Sequence, residues 1–377
     1  MRIRMKMLCS LFLISSLVVF GSGLSFGKTD IIPGGPWLTD NQNVSYSALS
    51  SYEELVKALK QIEKTSKGLV QLESIGVTNQ GRDIYMAKIG NPDNTPVMIM
   101  TQQHGNEPIG TESALQVIKF LATDNAKVQQ ILNELYVLII VRVNPDGAEL
   151  WQRYDYDPTA PASSSLHYLY CREGVGWDIN RYHFFDWTKS PLYEEYMAAP
   201  LVYPYPENPV PEAVAVMNAF KMYQPIWMVD FHGQGTYVTN DGESVTSSTL
   251  WPTNPDAPNE AVILSKQLIA VMMDHMEQYG YATLSLYPGG TEPGIARNQY
   301  GIQGAGSVLV EMKGGIGQKS LGMLVKHAAE QMEALLAATA DGSLYMADPD
   351  RVNDLPTERI SYYKDLPPPH GEDVEPE

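Results

Sequence analysis

Four short apolar runs constrain this chain more than anything else in it: "VMIMT" before His104, "YVLIIVRV" before Asn144, "IWMVDF" before His232 and "GSVLVEM" around Glu311. Each has the length of a buried strand, and each runs into polar residues where the strand should end. Stretches with helical spacing lie between them, at 111–121, 127–134, 210–223, 258–279 and 320–338. Strands alternating with helices predict an α/β fold with a largely parallel sheet. Upstream, "SYEELVKALKQIEKTS" carries Leu55, Leu59 and Ile62 at helical spacing, with Ser51 and Glu54 placed as a capping box. "LVQLESIGVTNQGRDIYMAKIG" then alternates as two strands joined by the turn "NQG".

Residues 151–209 break the pattern. They are rich in Tyr, Pro and Ser, and read as long ordered loops over the sheet's edge. The end of the chain, "DLPPPHGEDVEPE", is acidic and Pro-rich, and residues 346–377 read as a largely disordered tail. No internal repeat is visible.

The first residues need separate treatment. Arg2, Arg4 and Lys6 precede an apolar run from Met7 to about Phe20, and small residues follow up to Gly27. That is the outline of a secretory signal peptide over residues 1–27. No later segment approaches the roughly 20 apolar residues that a membrane span needs. The expectation is a secreted or periplasmic protein with no stable membrane insertion once the leader is removed. About 350 residues then remain, enough for one large catalytic domain, placed at 28–345. The formal net charge is −18, and removing three basic leader residues makes it more negative still. Such a surface repels phosphate backbones, which argues against nucleic acid as a partner. Of 2 cysteines, Cys9 belongs to the leader and only Cys171 remains, so no disulfide within the mature chain is possible.

A histidine followed three residues later by a glutamate is weak evidence alone. "HAAE", from His327 to Glu330, has that spacing too, but in a helical stretch where such neighbours form a solvated surface pair. His104 and Glu107 differ, because they follow the end of an apolar strand, where open α/β sheets bind ligands. "DFHGQG" repeats the arrangement with His232, and "VLVEMKGG" with Glu311. Three strands thus deliver two imidazoles and two carboxylates to one rim of the sheet. Two neutral imidazoles and one carboxylate form a tetrahedral zinc site with one open position, the catalytic arrangement.

The order of these elements resembles the M14 family of zinc metallocarboxypeptidases, the funnelins. The likeness runs from about Ser45 to about Ala340 through "GVTNQGRDIYMAKIGN", "HGNEPIGTES", "RVNPDGAELW", "GWDINRYHF", "DFHGQG" and "VEMKGG". The resemblance implies a mixed, mostly parallel eight-stranded sheet flanked by helices. It implies one Zn²⁺ per chain, held by His104, Glu107 and His232. It implies Glu311 as general base, and Asn180 and Arg181 of "DINR" as holders of the substrate's C-terminal carboxylate. Asp178 would hydrogen-bond a ligating histidine, as metal-bound imidazoles require. Tyr287 matches the family's mobile cleft tyrosine, and Arg153 lies where the family places the arginine that stabilises the oxyanion.

These residue types suit amide hydrolysis. Zinc polarises a carbonyl and lowers the pKa of bound water to roughly 7. A glutamate can take that water's proton and return it to the leaving amine. A guanidinium grips a carboxylate with two prongs, which favours cleavage at a free C-terminus. The partner implied is a peptide with a free C-terminal carboxylate. The alternative is a cell-wall peptide amidase (γ-glutamyl or diaminopimelate) or an N-acyl amino acid deacylase on the same scaffold. Deacylases of this type often part from the "NPDG…NR" pattern, which is present here. A non-catalytic binding relative would be expected to lose a ligand or the base. Asp146 of "NPDG" reads as a turn former. Arg297 either faces the side-chain pocket, favouring an acidic side chain, or pairs with Glu292.

Overall fold

The computed structural model describes residues 49–161, 170–314, 318–357 and 360–361. The proposed leader and the end of the acidic tail lie outside them.

In chain order the described residues form α1 (Tyr52–Thr65), β1 (Val70–Val77), β2 (Asp83–Ile89), β3 (Thr95–Thr101), α2 (Ile109–Leu121), α3 (Ala126–Glu134), β4 (Leu135–Ile140) and α4 (Pro145–Leu150). Then come β5 (Cys171–Arg172), β6 (Gly176–Trp177), α5 (Pro191–Ala198), α6 (Pro211–Tyr223), β7 (Trp227–Gln234), β8 (Tyr237–Val238) and β9 (Ser247–Leu250). The rest is α7 (Asn259–Met276), β10 (Leu284–Leu286), α8 (Ala296–Ile302), β11 (Gly306–Lys313), α9 (Gln318–Ala340) and β12 (Ile360–Ser361). Ser51 caps α1 in a complete capping box with Glu54.

Eight strands form one mixed sheet in the order β1-β2-β4-β3-β7-β11-β9-β10. Its centre, β4-β3-β7-β11, is parallel throughout, as is the β9–β10 pair. The β1–β2, β2–β4 and β9–β11 pairs are antiparallel. The central strands are largely apolar and buried because both faces are covered. Val97, Ile99, Val229, Phe231, Val308 and Val310 pack with α2, α7 and α9 on one face. Met98, Met100, Leu138, Ile140 and Met228 point the other way, into a cluster with Trp177, Ile179, Tyr182 and α6.

That second cluster corrects the placement of residues 151–209. Its described residues lie across a face of the sheet and supply Trp177, Ile179, Tyr182 and Leu192 to its core, all buried. It also contains a helix, α5, capped by Ser190. The tail boundary at 346 is corrected too. Residues Pro349–Asp354 form 3₁₀ turns packed on α7, and Val352 and Leu355 are buried in the main core. Burial of those side chains fixes a segment whose local composition looks loose. His327 and Glu330 are not a solvated pair. His327 is fully buried beside Ser247 and Gln331, while Glu330 reaches His275. Cys171 is buried, and its thiol donates to Pro161 O. No helix among the described residues is long and apolar enough to cross a membrane.

Candidate metal centre

The site forms where β3 and β7 end, on the face covered by residues 170–182. Gln102, just past β3, adopts a left-handed backbone (φ 54°) that turns the chain off the strand. Its side chain fastens the turn: the amide donates to Gly105 O, and the carbonyl accepts from Thr111 Oγ1 and Arg142 Nε. Gly105 packs against the backbone of Gly147, where any added Cβ would collide with the Gly147 carbonyl. Asn144 ties the same knot, donating to Gln103 O and Tyr154 O and accepting from Gly147 N. Asp146, buried in the first turn of α4, accepts from Arg82 and Gln80 N across the β1–β2 turn; the cap of its own turn is Asn144, so Asp146 is a brace to that neighbouring turn and not the turn former expected from sequence.

This loop and β7 bring three ligand atoms together. His104 Nδ1 lies 2.9 Å from Glu107 Oε1, and His232 Nδ1 lies 3.1 Å from Glu107 Oε2. The two Nδ1 atoms are 3.0 Å apart. Each imidazole presents its other nitrogen to an aspartate: His104 Nε2 to Asp178 Oδ1 at 3.0 Å, His232 Nε2 to Asp230 Oδ2 at 2.6 Å. A carboxylate only accepts, so each Nε2 carries the proton there. Each Nδ1 then offers a lone pair toward the same centre, which is the tautomer a metal needs. His104, Glu107 and His232 are the described residues whose donor atoms cluster tightly enough to hold an ion. Two lone pairs and a carboxylate at this spacing fit zinc chemistry.

The electrostatics follow from burial opposed by neighbours. Burial alone would raise the Asp178 pKa, but Arg153, Arg181 and His104 hold it well below the usual carboxylate range. Burial likewise disfavours charge on His232, yet Asp230 and Glu107 outweigh it and keep its pKa well above the ordinary value; the proton this favours on Nδ1 is the one a bound cation would displace to reach the lone pair. Glu107 is also held low, burial being overcome by His104 and His232.

The other candidate residues surround this centre. Arg153 donates through Nε (3.2 Å) and Nη2 (3.0 Å) to Asp178 Oδ2, and its Nη1 lies 3.7 Å from Glu107. Asn180 Oδ1 accepts from Ala296 N, and its Nδ2 approaches His232 Nε2 at 3.4 Å. Arg181 lies over the Tyr170 ring, 4.8 Å from its centroid, and borders a cavity of about 110 Å³ lined also by Phe184, Leu192 and Glu292. Glu311 is buried on β11, in register with His232 on β7. Tyr287 follows β10, its backbone N donating to Thr249 O. The sequence reading missed a polar chain behind His232. Asp230 also accepts from Gln103 Nε2, and Gln103 Oε1 lies 2.6 Å from His183 Nε2. His183 reaches Tyr300, and burial lowers its pKa to about 3. Asp230 was findable, since a residue two before a strand ligand shares its face.

Comparison with known proteins joins this geometry to a lineage. Residues 55–323 match the model for the zinc carboxypeptidases, a span that holds every candidate site residue. The chain belongs to the zinc carboxypeptidase family. The human carboxypeptidase N catalytic chain is 28% identical over 205 residues, covering 50% of this chain and 43% of that protein. A zinc carboxypeptidase from Saccharothrix mutabilis subsp. capreolus is 30% identical over 150 residues, 38% of this chain and 34% of its own. The chain thus spans less than half the length of these curated relatives. Among solved structures, carboxypeptidase A from Helicoverpa armigera superposes with a TM-score of 0.57 at 16% identity, covering 80% of this chain and 77% of that one. A metallo-carboxypeptidase from Burkholderia cenocepacia gives 0.56 at 18%, covering 79% and 70%. The zinc carboxypeptidase fold is shared across these structures.

Proposed function

We propose that this chain is an exported zinc metallocarboxypeptidase that removes the last residue of peptides with a free C-terminal carboxylate. The observation that carries the reading is the convergence of His104, Glu107 and His232, with both imidazoles held by aspartates in the ligating tautomer. Zinc bound there polarises the scissile carbonyl and lowers the pKa of a water to roughly 7. Asn180 and Arg181 grip the terminal carboxylate, which sets the cut one residue from the end. Arg153 has Nε and Nη2 on Asp178, and the Nη1 edge turned toward Glu107 meets charge developing on the carbonyl oxygen. Losing one such donor typically costs about 3 kcal/mol of barrier. Glu311 takes the proton of the attacking water and hands it to the departing amine. Tyr287 closes on the bound terminus. The leader over residues 1–27 carries the chain to a periplasmic or extracellular location.

The test is metal analysis of purified protein combined with a peptide digest read by mass spectrometry. One zinc per chain and ladders shortened from the C-terminus are expected. Cleavage inside peptides, or none with zinc present, would contradict the reading.

A further inference from the structure

Behind His232 runs a line of buried polar side chains that no step of the proposed reaction uses. Asp230, Gln103, His183 and Tyr300 are 0–2% exposed. Two donors meet on one oxygen: His232 Nε2 and Gln103 Nε2 each lie 2.6 Å from Asp230 Oδ2, and 3.4 Å from one another. Gln103 Oε1 lies 2.6 Å from His183 Nε2, and His183 Nδ1 lies 2.9 Å from the Tyr300 hydroxyl.

Donor and acceptor chemistry fixes the direction of every link. A carboxylate only accepts, so Gln103 turns its NH₂ toward Asp230. That leaves the amide oxygen for His183, which presents Nε2–H to it. Burial keeps the His183 imidazole neutral, so its lone pair is on Nδ1 and accepts from Tyr300. Every donor in the line points toward Asp230, and bonds aligned in this way strengthen one another. The far end is rigid, because the Tyr300 ring packs on Phe220 and Phe185, with centroids 4.7 and 5.8 Å away. The near end depends on the line, because Asp230 Oδ1 is buried with no partner among the described residues.

His104 is supported differently. Its partner Asp178 is braced by Arg153 and lies 4.0 Å from Arg181, both proposed to meet the peptide. Gln103, His183 and Tyr300 are neutral, and none has a proposed contact with substrate. We propose that Gln103 and His183 are positioning residues of the metal centre. They fix which Asp230 oxygen faces His232, and so hold the His232 Nδ1 lone pair toward His104 and Glu107. The inference rests on the zinc reading above.

The experiment measures zinc affinity of the purified protein by competition with a chelator, together with the visible spectrum of the cobalt-loaded form. No peptide enters, so a failure of the carboxypeptidase activity is read separately. Gln103→Leu should weaken zinc binding roughly 10–100-fold. His183→Phe keeps an aromatic ring but loses the donor, and should cost about three- to tenfold, with a shifted cobalt spectrum. His183→Gln can still donate an N–H to Gln103 and should recover part of the loss. In an Asp230→Ala background His183→Phe should change little, since the acceptor at the end of the line is gone. A core that is merely loosened would instead weaken binding equally with and without Asp230. That result overturns the inference, as does wild-type zinc affinity in His183→Phe, or a His183→Gln no better than His183→Phe. A wild-type protein that binds no zinc overturns the zinc reading, and this inference with it.

Discussion

Glu311 on β11 stands in register with His232 on β7 across a parallel pair, so both side chains leave the same face of the sheet. The proposed base and a candidate metal ligand are thereby placed by backbone pairing, with no loop between them. This separates two roles for a glutamate near a metal. If Glu311 acts as base and not as ligand, Glu311→Gln should lower kcat by about 10²–10⁴. Zinc content, measured by mass spectrometry of the metal, should stay at the wild-type level. Loss of zinc along with activity would move Glu311 into the ligand set.

Asp230 and Asp178 each hold the outer nitrogen of one imidazole. Asp230→Asn preserves shape but removes the acceptor charge that fixes the His232 tautomer. Zinc affinity, read by competition with a chelator, should fall roughly 10–100-fold. An unchanged affinity would mean that β7 alone orients the ring.

The acid cluster behind Asp178 makes stability depend on pH. Asp155 and Glu212 are fully buried, and Asp155 Oδ2 and both Glu212 oxygens have no hydrogen-bond partner. Burial first, then Asp157, Asp146 and Asp178, raise the Asp155 pKa to about 8, and burial with Asp155 raises that of Glu212. Arg82 pairs with Asp146 and so neutralises only part of the cluster. The native state therefore keeps protons that the unfolded chain releases near pH 4. The stability this gives is complete below that pH and is lost as pH rises through about 8. One proton corresponds to about 1.4 kcal/mol per pH unit in that window. Urea unfolding at pH 5, 7 and 9 should show a decline that is visibly shallower in Asp155→Asn. Parallel slopes in the two proteins would refute the account.

Much of this was legible in the residues. The central strands announced themselves because apolar side chains occupy both parities, and α1 because Ser51 and Glu54 cap it. The candidate ligands His104, Glu107 and His232 showed as polar residues at strand ends. What stayed hidden depended on tertiary placement. Nothing local says that Trp177 and Ile179 lie across a face and not an edge, or that His327 is buried while its neighbour Glu330 reaches another helix. The stretch after β4 was equally opaque: composition marked 151–209 as unusual, but its described aromatic residues, Trp177 and Tyr182 among them, are held by packing with Met98, Met100 and α6.

The segment after α9 gives the sharpest contrast between charge and burial. Arg351 makes ion pairs with Asp274, Glu277 and Asp354, whose side chains are 63–66% exposed. Val352 and Leu355 nearby are 2% and 4% exposed within the main core. Exposed pairs are worth about 0–1 kcal/mol, whereas truncating a buried leucine costs about 2–5 kcal/mol. Pro356 O also accepts from Leu286 N at 2.8 Å, which links this segment to the end of β10 just before Tyr287. Leu355→Ala should thus lower the melting temperature by several degrees and slow peptide turnover, while Arg351→Ala should leave both nearly unchanged. Equal effects, measured by calorimetry and steady-state kinetics, would show that the charges and not the buried side chains anchor this end of the fold.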